Sequence, residues 1–460
     1  MKHLNFKSIA LMIGLVVLLV MGTSYSFGRS SWPASLLNNE RGSETTLDDA
    51  SSTGTFKRVS IKIKEPSKKK EIDGLALDVR HQFPDGTFTA HVPASLLSRL
   101  QALADVEEVP VFQLTHHDGE LMAAKPVCGN GIAEKSEKCG EPGLSCPVGE
   151  TCANCKCGAT TPPPSSRVCF PSQQREYNVT QINGGLAGNG AGINVAVLDT
   201  GIDTDHPDLM ANITLCKDAT KRGIQNGCED KDSVGHGTHS SGIIAASGGA
   251  DGLGLFGVAP AVSLQIIKVC GGGGCFGDDI AAAIDYVAGQ GAQVINMSFG
   301  GNSESSLIRD AIARHPDTLF VASAGNDGPA PGSIDYPAAN SNVVAVAAHD
   351  TNLMVASFSS RGITDGDDGT LSSREIEFSA GGVQVESTNK GGCYSKLSGT
   401  SFSSPTIAGL AARLWTAAGG TASTVRSYLR TIVTDITTAN GSGAGIGYDI
   451  ASGYGIPVAP

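Results

Sequence analysis

From residue 193 onward, short apolar runs alternate with amphipathic stretches. The runs at 193–198, 264–269, 294–297, 319–322 and 343–347 are too short for helices and rich in Val, Ile, Leu and Ala, so they read as buried strands. Between and after them, residues 236–246, 278–288, 305–313 and 401–417 have helical spacing. Strands alternating with helices predict an α/β fold whose mostly parallel central sheet carries helices on both faces. In such sheets chemistry sits at the carboxyl ends of the strands. Upstream the texture differs. Residues 56–63 alternate as a strand, 93–103 open on Pro93 with helical spacing, and 106–114 alternate again. These segments predict a small α+β unit with no catalytic constellation of its own.

Composition sharpens the class. Glycine, at 59 of 460 residues, is close to twice its usual share of roughly 7%, which suits a loop-rich enzyme better than a helical bundle. The formal net charge of -12 and pI near 5.3 leave no basic footprint, which excludes nucleic acid as a partner. Lys2 and Lys7, an apolar run at 9–21 and the small residues of 22–26 form the pattern of a secretory signal peptide over 1–26. The run falls short of the roughly 20 residues that span a bilayer. A released, extracellular chain with no membrane association after signal removal is the expectation.

Twelve cysteines fit an oxidising compartment. Six crowd between Cys128 and Cys157, within a Cys-rich module at 126–158 that opens Cys-Gly-Asn-Gly. Six more are spread from Cys169 to Cys393. The pair Cys152 and Cys155 has a metal-ligand spacing but no matching second pair, so a disulfide knot is expected there. A Pro-rich linker at 159–167 separates this module from a long C-terminal domain, 168–460.

Three segments of that domain carry chemistry. Asp199 follows a buried strand in Asp199-Thr200-Gly201. His236 begins a helix in Gly235-His236-Gly237-Thr238-His239, and Ser401 begins another in Gly399-Thr400-Ser401-Phe402-Ser403-Ser404-Pro405. Singly these are a turn acid and two helix caps. Jointly they supply what a weak serine nucleophile needs: an imidazole to take its proton and a carboxylate to hold the tautomer. Asn326, in Ser323-Ala324-Gly325-Asn326, adds an amide able to donate to an oxyanion.

Together these segments resemble those of the subtilisin-like serine protease family, in its order Asp, His, Ser. His236 lies 37 residues after Asp199 and Ser401 lies 165 after His236. The resemblance covers about 170–460 and implies a secreted endopeptidase acting on proteins or peptides. In it Ser401 is the nucleophile, His236 the general base, Asp199 its orienter and Asn326 an oxyanion donor. Two positions depart from the family pattern: Phe402 stands where Met is usual, and Thr406 where His is common.

The resemblance carries further expectations. Residues 27–120, with a folded unit at 56–117, look like a propeptide that inhibits the enzyme intramolecularly. Its maturation point falls near 117–126 or after Arg167. A substrate strand would lie between Gly271, Gly272 and Gly273 on one side and Ser298, Phe299 and Gly300 on the other, with Ser323 and Asp335 as further substrate contacts. Asp335 corresponds to the floor of the primary specificity pocket, which implies a preference for Lys or Arg before the scissile bond. Gln173, Asp208 and Asp251 match positions of a structural calcium site. Expected bridges are Cys270–Cys275, Cys216–Cys228 and Cys169–Cys393. The rival reading is a matrix or adhesion protein on a protease-like scaffold, displayed through the Cys-rich module.

Overall fold

The computed structural model describes residues 56–115, 169–186, 189–227, 232–271, 273–363, 372–437 and 444–460, and the backbone of 150–153 and 156–159. The expected signal segment, most of the Cys-rich module and nearly all of the linker lie outside the described residues. Among the described residues no helix is long and apolar enough to cross a membrane.

The N-terminal unit comprises β1 (Phe56–Ile63), α1 (Lys69–Asp73), β2 (Asp78–Gln82), β3 (Phe88–Pro93), α2 (Ala94–Gln101) and β4 (Ala104–Glu108). Its antiparallel sheet is ordered β2-β3-β1-β4. Alternation sends Val59 and Ile61 of β1, with Ala90 and Val92 of β3, onto Leu100 of α2 in one small core. The expected single segment at 106–114 is two strands. Pro110 has no N–H for a ladder bond, and the chain breaks there before β5 (Val111–Leu114), which joins a different sheet. In the Cys-rich module, β6 (Glu150–Ala153) and β7 (Lys156–Ala159) pair as a hairpin.

The C-terminal domain opens with α3 (Tyr177–Thr180), β8 (Asn194–Asp199), β9 (Ile213–Asp218), β10 (Gln225–Asn226) and α4 (His236–Ala245). Next come β11 (Ser263–Lys268), β12 (Cys270–Gly271), β13 (Gly274–Phe276), α5 (Gly277–Gly289), β14 (Val294–Met297), β15 (Phe299–Gly300) and α6 (Ser306–Arg314). The chain ends through β16 (Leu319–Ser323), β17 (Val343–His349), β18 (Phe378–Gly381), β19 (Val385–Asn389), β20 (Cys393–Leu397), α7 (Thr400–Leu414), α8 (Ala422–Thr431), β21 (Val433–Thr434) and β22 (Ile456–Pro457). The central sheet runs β10-β9-β11-β8-β14-β16-β17-β18 and is parallel except for β10. Strand alternation builds two cores. Val195 and Val197 face Ile244 of α4 and Ile407 of α7, whereas Ala196 and Leu198 face Ile284 of α5 and Ile312 of α6. The expected α/β architecture is therefore the one observed.

The N-terminal sheet is fastened to the first turn of α5. Arg58 pairs with Asp278 at 2.7 Å and also with Asp279, and its guanidinium lies 4.2 Å from the centre of the Phe276 ring. Thr89 donates to Asp278 at 2.7 Å, and His81 Nε2 lies 2.8 Å from Asp279. Both carboxylates are fully buried, at a helix N-terminus that favours negative charge. Arg58→Met would leave two buried acids short of their main cation, at a cost of about 3 kcal/mol. Amide exchange should then quicken in β1–β4 while β8–β18 stay protected; unchanged exchange in β1–β4 would show that Arg58 does not hold the sheet in place.

Candidate active site

The carboxyl ends of β8, β14 and β16 bring the motif residues together. Asp199, fully buried at the end of β8, accepts from the Thr200 N–H at 2.7 Å. Its oxygens lie 2.8 and 3.0 Å from His236 Nδ1, the distance of an acid that fixes an imidazole tautomer. His236 begins α4 behind Gly235, whose φ of 90° suits only a residue without a Cβ. Glycine brings no capping side chain, and Asp232 supplies one. Asp232 accepts from the N–H groups of Gly235 (2.8 Å) and Thr238 (2.7 Å) and from Thr200 Oγ1 (2.6 Å). The sequence reading missed Asp232, although an acid just ahead of a Gly-His helix start is a capping signal.

One turn on, His239 is fully enclosed, and burial pushes its pKa down to about 3. It is therefore neutral, with Nε2 shared between the carbonyls of Val385 (3.2 Å) and Ser395 (3.1 Å). Phe402 wedges between the two histidines, its ring centre 5.3 Å from His236 and 4.5 Å from His239. A phenyl ring at this position cannot form the sulfoxide that a methionine would. Thr406, the other departure, accepts from Asn178 Nδ2 at 2.9 Å.

Ser401 sits in the first turn of α7, which contains Pro405. Proline has no N–H, so the Ser401 carbonyl loses its partner four residues on. Ser298 Oγ makes good the loss, donating to that carbonyl at 2.8 Å. Ser298 is in turn held by Asn296 Nδ2 at 2.9 Å, and its own carbonyl accepts from Ser401 Oγ at 2.9 Å. Asn326 Oδ1 is fixed by the Thr400 N–H (3.1 Å) and hydroxyl (3.0 Å). That leaves Asn326 Nδ2, which is buried and has no partner among the described residues, as a donor beside Ser401.

β5 lies antiparallel between β13 and β15, with Phe112 opposite Cys275 and Leu114 opposite Phe299. The next residue, Thr115, meets Ser401. Its carbonyl accepts from the Ser401 N–H at 3.1 Å, and its Oγ1 lies 2.7 Å from Ser401 Oγ and 2.6 Å from Ser323 Oγ. Ser298, Phe299, Gly300 and Ser323 thus line β5 and Thr115. Gly271 and Gly273 do not pair with it, and Gly272 lies outside the described residues. The Cys270–Cys275 bridge folds this stretch into a hairpin, so that Cys275 and Phe276 form the edge and Gly271 lies behind it.

Asp335 is enclosed between two glycines. A Cβ on Gly300 or Gly325 would fall 2.6 Å from its Oδ2. Asn302, with its amide nitrogen assigned toward the acids, bridges Asp335 (3.1 Å) and Asp327 (3.2 Å). Burial, with Asp327 nearby, raises the Asp335 pKa to about 7.

Asp208 is fully buried and accepts from the Leu255 N–H (2.8 Å) and Tyr394 hydroxyl (2.7 Å). Gln173 and Asp251 are exposed. Gln174, not Gln173, reaches the 248–256 loop, donating to the Gly252 carbonyl at 2.5 Å. Two expected bridges form, Cys169–Cys393 and Cys270–Cys275; Cys216 is disulfide-bonded, and Cys228 lies outside the described residues.

A hydroxyl nucleophile, an imidazole oriented by a buried acid and two N–H donors beside a bound carbonyl are the parts of an acyl-transfer site. The family model described as "Subtilase family" matches residues 190–455. A protein named "Subtilisin" from Bacillus sp. (strain TA39) is 43% identical over 60% of this chain and 68% of its own. "Subtilisin Savinase" from Lederbergia lenta is 34% identical over 60% of this chain and 97% of its own. Among solved structures, "S41 Psychrophilic Protease" (41% identity) and "Sphericase" (38% identity) each give a TM-score of 0.59. Each covers 63% of this chain and 100% of its own.

Two substitutions test the site's donors. Asn326→Ala should lower turnover of a peptide amide by about 10²–10³ with little change in KM, as loss of one oxyanion donor does. Ser298→Ala orphans the Ser401 carbonyl and should lower both turnover and Tm, because an unsatisfied buried acceptor costs about 1–3 kcal/mol. Turnover within twofold of wild type in either variant would remove that residue from the account.

Proposed function

The chain belongs to the subtilase family and is a subtilisin-like serine endopeptidase, and from that premise we propose that it is a secreted, self-processing precursor using an Asp199-His236-Ser401 triad. Ser401 Oγ attacks the peptide carbonyl as His236 takes its proton, and the oxyanion is met by Asn326 Nδ2 and the Ser401 N–H. His236 then protonates the leaving amine, and water releases the acyl group. Asp199 keeps the imidazole in the required tautomer throughout. The observation that carries this reading is the Thr115 carbonyl, held 3.1 Å from the Ser401 N–H beside an Asp199–His236 pair at 2.8 Å.

The same contact makes residues 56–115 an intramolecular inhibitor, because β5 fills the cleft edges that a substrate strand would use. Secretion rests on the signal-like pattern at 1–26 and on the disulfides. For calcium, the residues present fit in part. Buried Asp208, Gln174 and the carbonyls of the 248–256 loop offer the oxygen ligands of a hard cation, while Gln173 and Asp251 are exposed. The ion's contribution there is structural.

Asp335 supports a preference for Lys or Arg before the scissile bond. A carboxyl with its pKa near 7 is neutral below that pH and anionic above it. Cleavage after Lys relative to Leu should therefore rise as pH passes through about 7, and Asp335→Gly should flatten the profile. A Lys-to-Leu ratio that is the same on both sides of this pH would end the proposal for Asp335.

Ser401→Ala should leave an unprocessed full-length chain without hydrolytic activity. Ordinary activity in that variant would defeat the triad. Chelator should lower Tm and hasten self-digestion; a chain indifferent to chelator does not hold calcium.

A further inference from the structure

β5 ends with both the backbone and the side chain of Thr115 held against Ser401 and Ser323. Residues 111–114 lie in register with β13 and β15, so the main chain is delivered to Ser401 at a fixed position. Thr115 is 5% exposed, its N–H points at the Ser298 carbonyl (3.5 Å), and its carbonyl takes the Ser401 N–H. No other described carbonyl accepts from the Ser401 N–H.

The side chain is held as closely as the backbone. Thr115 Oγ1 donates to Ser323 Oγ at 2.6 Å, and Ser323 Oγ reaches the Met297 carbonyl at 3.5 Å. Ser401 Oγ then has two acceptors, Thr115 Oγ1 and the Ser298 carbonyl. Ser323 is fully buried under the strand. A residue without the hydroxyl would leave Ser323 facing an apolar group with no water to replace the bond, and sites built around a substrate hydroxyl reject analogues lacking it.

Resting on the protease reading above, we propose that this chain first cuts itself on the carboxyl side of Thr115, and that Ser323 is a specificity residue for a β-hydroxyl side chain at that position. Ser401 Oγ adds to the Thr115 carbonyl carbon, with its proton passing to His236. The Thr115–His116 C–N bond breaks as His236 returns that proton to the His116 nitrogen. Water then cleaves the ester, leaving a Thr115 carboxylate and regenerating Ser401. This bond lies just ahead of the expected window at 117–126, and the first product retains the Cys-rich module. Lys or Arg would need to reach Asp335, whereas Thr115 is read at Ser323. The two recognition modes are therefore separable.

The full-length chain, its Ser401→Ala form and Thr115→Ser, Thr115→Val and Ser323→Ala variants would be followed by intact mass and N-terminal sequencing. The first new N-terminus should be His116. Thr115→Ser should process like wild type and Thr115→Val on the order of 10-fold more slowly, and Ser323→Ala should erase the difference between Thr115 and Thr115→Val. Matured wild-type enzyme should also cleave a Phe-Gln-Leu-Thr peptide amide on the order of 10-fold faster than Phe-Gln-Leu-Val, which guards against folding defects in the precursors. An active enzyme whose first N-terminus lies elsewhere, or equal rates for the two peptides, overturns the inference alone. A Ser401→Ala chain that processes normally overturns the self-processing triad proposed above instead.

Discussion

Insertion of β5 between β13 and β15 is the contact on which the rest of the arrangement depends. Two strand edges in a cleft carry backbone N–H and C=O groups that need partners, and an extended segment supplies them whatever its side chains. The same pairing fixes register, and register delivers the Thr115 carbonyl to the Ser401 N–H. On the proposed reading, inhibition and recognition are one interaction, differing only in whether the inserted strand still leads back to the sheet anchored by Arg58. One edge is stiffened by the Cys270–Cys275 hairpin and the other leads out of β14, a central strand.

A second constraint follows from Pro405. Its missing N–H frees the first turn of α7 to present Ser401 but strands a buried carbonyl, and Ser298 resolves this from the strand side. The residue that flanks β5 therefore also locks the turn that presents Ser401. On the other side, Asp232 ties the starts of α4 and the Asp199 loop into one buried network through Thr200 and Thr238. Asp199, His236 and Ser401 are held from both directions by hydroxyls and carboxylates that bond to backbone groups and to neighbouring hydroxyls.

Much of this was legible in the chain because it is local. The apolar runs near β8, β11, β14, β16 and β17 and the four long helical stretches lie within a few residues of the observed elements. Asp199, His236 and Ser401 were marked by glycine-rich turns at element ends. What escaped is non-local. β19 and β20 are polar in sequence, yet Ser387 and Thr388 are buried because their hydroxyls satisfy carbonyls of α4. Neither strand looks apolar, so neither was expected. Pro110 signals the break before β5, but nothing in Phe112-Gln113-Leu114-Thr115 announces that it lies in the cleft 286 residues away from Ser401. Gln174 rather than its neighbour Gln173 donates to the Gly252 carbonyl, a choice that spacing alone does not reveal.

The central claim is that Ser401 is a nucleophile activated by His236 and masked by its own N-terminal segment. Mass spectrometry of the chain exposed to a fluorophosphonate tests this most directly. The account predicts one adduct per chain, on Ser401, appearing only as the N-terminal unit is lost from the cleft and absent from a His236→Ala chain freed of that unit. A matured, folded chain that takes no label, or labels elsewhere than Ser401, would contradict it.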